Sequence, residues 1–169
     1  LTWFTRRFQS LINISDKTIL LVPHPWILHR RRMKIKINHD NSGTLVFFAH
    51  SNDGIEIEDH GLESYIKSLK DLPEEYKPLV VCMHMHDINK GYHNKLKECG
   101  IKIVTAGNTL SPFFVDRFYD IIRGFKFATS NLVGSQLLYC EEIGVRYFIY
   151  GQQPAIVFES ENKDTVDNS

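Results

Sequence analysis

The chain has 169 residues, enough for one domain with its own core. Its 20 Lys and Arg balance its 20 Asp and Glu, so the overall charge calls for no nucleic acid as partner. Hydrophobic residues at 43% and charged residues at 24% are ordinary for a soluble globular protein, and no apolar run reaches the roughly 18 residues of a membrane span.

Arg6 and Arg7 are followed by no long apolar core with a small-residue cleavage site, so no signal peptide is expected. The chain opens on Leu1 rather than Met, as a piece of a longer protein would. Residues 1–13 put Leu1, Phe4, Phe8 and Leu11 near one helical face. "TILLV" (18–22) is a short apolar run stopped by Pro23 and Pro25. "HRRRMKIK" (29–36) is a dense basic run. It reads as a solvated loop or edge strand, or else as a surface-exposed patch facing phosphates or an anionic membrane.

From Gly43 the pattern becomes regular. Apolar runs at 44–50, 78–86, 101–107, 125–130 and 145–151 read as strands. Helical patterns at 62–72, 91–100, 111–124 and 132–144 lie between them or after them. Ser111 followed by Pro112 marks a helix start, and Gly100, Gly124 and Gly144 mark helix ends. Strands buried on both faces read as continuously apolar, which predicts an α/β fold: a doubly wound parallel sheet of about five parallel strands. The predicted organisation is a partial N-terminal element over 1–43, a Rossmann-like domain over 44–158 and a disordered polar tail over 159–169. Cys82, Cys99 and Cys140 form no CxxC pair and are odd in number, which predicts reduced, mostly buried thiols in a cytosolic protein.

In such folds ligands bind beyond the carboxyl ends of the strands. Those ends carry His50 and Ser51; His84, His86 and Asp87; Gly107 and Asn108; Ser130 and Asn131; and Gly151 and Gln152. His84-Met85-His86 on one strand face suggests a metal, but Ile88 stands where the binuclear HxHxDH pattern has Asp, so no metal is expected. An imidazole donating to a phosphate or sugar oxygen is the favoured reading, beside a histidine merely bonded in a strand-end turn. In "SNLVGS" (130–135) a helix start offers backbone N–H groups, Gly134 offers close approach, and Ser130 and Ser135 offer hydroxyls: an anion seat, or a plain N-cap. Neither a GxGxxG fingerprint nor a P-loop is present. Asp53, Glu56, Glu58 and Asp59 are the loop carboxylates after the first strand.

"VFFAHS" (46–51), "VCMHMHD" (81–87), "KIVTAGN" (102–108), "FFVDRFYDII" (113–122) and "SNLVGSQLLYCEEIGVRYFIYG" (130–151) occur in this order. Together they resemble the nucleotide-binding, C-terminal half of bacterial surface-polysaccharide glycosyltransferases of GT-B type. The resemblance implies transfer of a sugar from a nucleotide-sugar donor to a glycan or lipid-linked acceptor, without a cofactor, with Ser130, Asn131, Gly134 and Ser135 at the donor phosphates. His50, Ser51, Asn108 and Gln152 join them as donor-binding candidates. His84 or His86 takes a place similar to the phosphate-binding histidine of CMP-sugar transferases, although Met85 and Asp87 follow where that motif has proline. The helix end and a histidine would stabilise the leaving phosphate, and Asp53 is the candidate base. The expected setting is cytoplasmic, with possible peripheral contact with an anionic membrane at its inner face. A non-catalytic α/β nucleotide-binding or protein-interaction module is the alternative.

Overall fold

The computed structural model describes residues 23–48, 55–57, 62–153 and 156–158. The helical face at 1–13, the run at 18–22, the tail at 159–169, and His50, Ser51, Asp53, Glu58 and Asp59 lie outside them. The chain divides into two compact units, Leu1–Lys34 and Ile35–Ser169.

In the first unit, α1 spans Pro25–Arg32. Pro25 suits the first turn, where its missing N–H costs nothing. His24 is the N-cap, its Nδ1 accepting the Trp26 N–H at 3.2 Å. The basic run is therefore not a loop or strand throughout: His29, Arg30, Arg31 and Arg32 form the last turn of a helix, where cations complement the exposed carbonyls.

In the second unit, β1 (Thr44–Phe47), β3 (Leu79–Cys82), β4 (Lys102–Val104), β5 (Phe127–Ser130) and β6 (Arg146–Ile149) form one all-parallel sheet in the order β4-β3-β1-β5-β6. This is the Rossmann-like α/β fold that the apolar runs predict. Its helices are α2 (Leu62–Lys70), α3 (Met85–Asn89), α4 (Tyr92–Glu98), α5 (Phe114–Ile122) and α6 (Gln136–Ile143). On one face Val46 and Val81 pack on Tyr65, Ile66 and Leu69 of α2 and Leu96 of α4. On the other, Phe47 meets Phe118 of α5, which in turn meets Tyr139 of α6 edge-on. Period-two alternation along each strand feeds both layers. A two-stranded antiparallel ribbon, β2 (Ile55–Ile57) with β7 (Ile156–Phe158), was not foreseen from the sequence.

Residues before β1 are tied to this unit. Asn38 N–H donates to the Arg123 carbonyl at 3.0 Å, and Asn41 Nδ2 donates to the Phe125 carbonyl at 3.1 Å. Gly43, at φ +68°, starts β1 against Pro78; a Cβ there would lie 2.3 Å from the Pro78 carbonyl oxygen.

Several element starts differ from the sequence reading. The strand in 78–86 stops at Cys82, because His84 caps α3 and His86 lies inside it. The helix expected from Ser111 starts at Phe114, Ser111 Oγ instead accepting the Phe113 N–H in the preceding turn at 3.3 Å. The helix expected from Leu132 starts at Gln136, with Ser135 rather than Ser130 as its N-cap.

Candidate functional site

The strand order reverses between β1 and β5, and this switch point is where the carboxyl ends of such a sheet open a crevice. β1 leads out of the described residues there. The β5 side is built from Ser130 to Gln136.

Ser130 ends β5 with 0% exposure. Its Oγ donates to the Leu132 carbonyl, and it accepts the Leu132 N–H at 3.3 Å and the Tyr147 hydroxyl at 2.7 Å. A hydroxyl has one donor and two acceptor sites, so Ser130 is saturated. It is neither the helix N-cap nor an open donor for an anion; it folds the turn that leaves the sheet. Burial pushes the Tyr147 phenol up, while hydrogen bonding with Ser130 and Gln136 pulls it back. Tyr147 therefore stays a neutral donor to Ser130 at physiological pH.

Asn131 is 5% exposed. Its Nδ2 donates to the Gln152 carbonyl at 3.2 Å. Its Oδ1 is buried and has no hydrogen-bond partner. Orphaned buried acceptors are rare in native proteins and call for an explanation. One N–H of the Asn131 amide is given to the Gln152 carbonyl, and its Oδ1 is an acceptor without a partner. That acceptor suits a hydroxyl or N–H of a ligand.

Gly134 does not leave open backbone. A Cβ built there would meet Gln136 Oε1 at 2.2 Å, so the Gln136 amide covers this spot. A flexible side chain can swing aside, but the free seat of the sequence reading is occupied. Ser135 is exposed and makes no side-chain cap bond to the helix backbone. Its hydroxyl keeps company with the Tyr139 phenol, which burial raises and Ser135 lowers.

Gly151, at φ +85°, brings Gln152 across the end of β5. A Cβ at Gly151 would lie 2.5 Å from the Tyr65 ring, so only glycine lets the chain pass this close to α2. Tyr150 N–H donates to the Ser130 carbonyl at 3.0 Å and completes the same crossing. Gln152 thus contributes its carbonyl to Asn131, with its exposed side chain on the rim.

At the β3 end, His84 Nδ1 accepts the His86 N–H at 3.3 Å, and the two rings stack with centroids 5.0 Å apart. His84 is partly committed to capping α3; His86 is exposed. Asp87 is buried in the first turn of α3. Among the described residues no three His, Cys, Asp or Glu side chains converge in the way a metal ion requires. Asn108 is exposed, and its Oδ1 accepts the Leu110 N–H at 2.9 Å in a side-chain-closed turn.

Arg117 is a site residue that sequence reasoning misses. From α5 its Nε donates to the Ala106 carbonyl at 2.6 Å, and its guanidinium lies over Gly107, whose φ of +81° suits a residue with no side chain. This places a cation at the carboxyl end of β4. The available signal is an arginine early in a helix, where the dipole disfavours positive charge, in the helix that follows β4. The exposed large apolar residues described in this unit, Leu110, Phe113, Val133 and Ile149, also lie in loops or termini at the carboxyl ends of strands. The thiols behave differently: desolvation pushes the half-buried Cys82 up to about 12 and raises the buried Cys140 as well, so both stay neutral at physiological pH.

Among the described residues no helix is long and apolar enough to cross a membrane. No family model, no curated protein and no solved structure matches the chain.

Proposed function

We propose that the chain is the donor-binding half of a GT-B type glycosyltransferase that moves a sugar from a nucleotide sugar to a glycan or lipid-linked acceptor in bacterial surface polysaccharide synthesis. The observation that carries this reading is the buried, unpartnered Oδ1 of Asn131 at the strand-order switch point of a parallel sheet. An acceptor held ready there costs the free protein stability, and a ligand hydroxyl or N–H would recover it.

Each group then has a role. Asn131 Oδ1 receives a ribose or sugar hydroxyl, or a base N–H. The exposed Ser135 hydroxyl and the N–H groups at the start of α6 face the diphosphate, with Gln136 swinging off Gly134. Arg117 supplies positive charge and His86 a ring N–H donor at neighbouring strand ends, against the charge that grows on the leaving phosphate. Asp53 remains the candidate base for the acceptor hydroxyl. The apolar rim at Leu110, Phe113 and Val133 fits a site that closes against a second surface holding the acceptor. The setting is the cytoplasm, where the inner membrane face presents lipid-linked acceptors.

Melting the protein with UDP, CMP and CDP tests this. A ligand at a hundred times its Kd adds about 2.7 kcal/mol, or roughly 5–10 °C for a chain of this size. No shift with any of the three at millimolar concentration would select the second reading, a non-catalytic docking module, which the same exposed apolar rim favours.

A further inference from the structure

We infer that the end of α1 is a membrane-docking element that inserts Leu28 and Met33 between anionic lipid headgroups held by Arg32 and Lys34. This goes beyond the proposed activity and does not depend on it. Ile27 is buried while Leu28 is 45% exposed, so the helix turns one apolar residue inward and the next outward. Arg32 stands four positions after Leu28, on the same exposed face. Met33 closes the helix and is 58% exposed.

Lys34 adds an independent sign. Its φ of +54° is left-handed, and it is the one non-glycine residue so placed among those described. Its N–H donates to the Arg31 carbonyl at 3.2 Å, so it occupies the helix-ending position that glycine normally fills. A lysine accepts backbone strain there and gives an exposed cation beside Met33. Strain kept where glycine would relieve it points to a use for the side chain.

Charge complementarity identifies the occupant. No Asp or Glu lies between Asp16 and Asp40, although acids and bases balance over the whole chain. A purely electrostatic partner such as a nucleic acid would gain from Arg32 and Lys34 but nothing from Leu28 and Met33. A lipid interface rewards both, the apolar pair below the headgroups and the cations among them.

The experiment is sedimentation with vesicles of phosphatidylcholine alone, and of phosphatidylcholine with about a third phosphatidylglycerol. The protein should pellet with the anionic vesicles, less so as salt rises. Each cation removed should weaken binding about fivefold. Arg32→Gln with Lys34→Gly should therefore weaken it roughly twentyfold, and without a loss in melting temperature, because glycine takes the left-handed position freely. Leu28→Ser with Met33→Ser should abolish the binding that survives high salt. Inorganic phosphate at matched ionic strength should not compete, which separates a lipid surface from a free phosphate site. Equal pelleting with neutral vesicles, or variants that pellet like the parent, would overturn the inference. So would serine variants that bind normally while short duplex DNA strips the parent from vesicles; the patch would then be a nucleic-acid site.

Discussion

Asn131→Leu removes two polar atoms with opposite consequences. The Nδ2 bond to the Gln152 carbonyl at 3.2 Å is lost, at about 1 kcal/mol. The carbonyl it leaves belongs to an exposed residue, so water can replace the donor. The Oδ1, buried without a partner, is lost too, and with it a desolvation cost of about 1–3 kcal/mol. Leucine is close to asparagine in shape, so little packing changes. The free protein should thus be unchanged to about 2 kcal/mol more stable, which is a rise of up to roughly 8 °C in Tm. Ligand binding should move the other way. A ligand donor that had paired with Oδ1 would now be buried alone, at about 1–3 kcal/mol, or roughly 5-fold to 150-fold in Kd. Thermal melts of parent and variant, with and without UDP, CMP and CDP, read both quantities together. A drop of more than about 4 °C in the free variant would show that Asn131 mainly holds the fold. Unchanged affinity in a folded variant would show that the acceptor faces no ligand.

Ser130→Ala should cost about 1–3 kcal/mol in chemical denaturation, because the Tyr147 hydroxyl loses its acceptor. Ser135→Ala should leave stability within about 0.5 kcal/mol, since this residue is exposed and makes no side-chain cap bond. It should weaken nucleotide binding about tenfold through a lost charge-assisted hydrogen bond, and equal affinity would remove Ser135 from the site. Gly151→Ala should lower Tm by several degrees and weaken nucleotide binding with it, because a Cβ 2.5 Å from Tyr65 pushes Gln152 off Asn131; a variant that melts like the parent would contradict the close approach. Burial raises Cys82 to about 12 and raises Cys140 and Tyr65 as well. The folded chain therefore keeps these protons to higher pH than the unfolded chain. Their contribution is whole below the unfolded values and is lost as pH rises through the folded ones. The unfolding free energy from urea titrations should fall from about pH 9 upward, by up to ~1.4 kcal/mol per pH unit per group; a flat profile to pH 11 would refute the burial argument.

The parallel sheet was legible because its cause is local. Runs such as Leu45-Val46-Phe47 and Leu79-Val80-Val81 must be covered on both faces, and each is followed by a helical pattern, so the chain has few other ways to bury them. The alternation of strand and helix likewise marks the polar strand ends as candidates. Which of those residues are spoken for could not be read there. Ser130 is saturated by Tyr147, a partner 17 positions away. Asn131 is oriented by a carbonyl 21 positions on, which takes one amide N–H while Oδ1 is left without a partner. His84 reads as a strand residue until β3 ends at Cys82 and the imidazole caps α3. Arg117 reads as one charge in an amphipathic helix until α5 lays it on Gly107. Periodicity reports which side chains a segment must bury, since that is a property of the segment. A hydrogen bond needs a partner at about 3 Å with the right direction, and for these residues the partner is set by strand order and by where the loops cross, which only the tertiary structure decides.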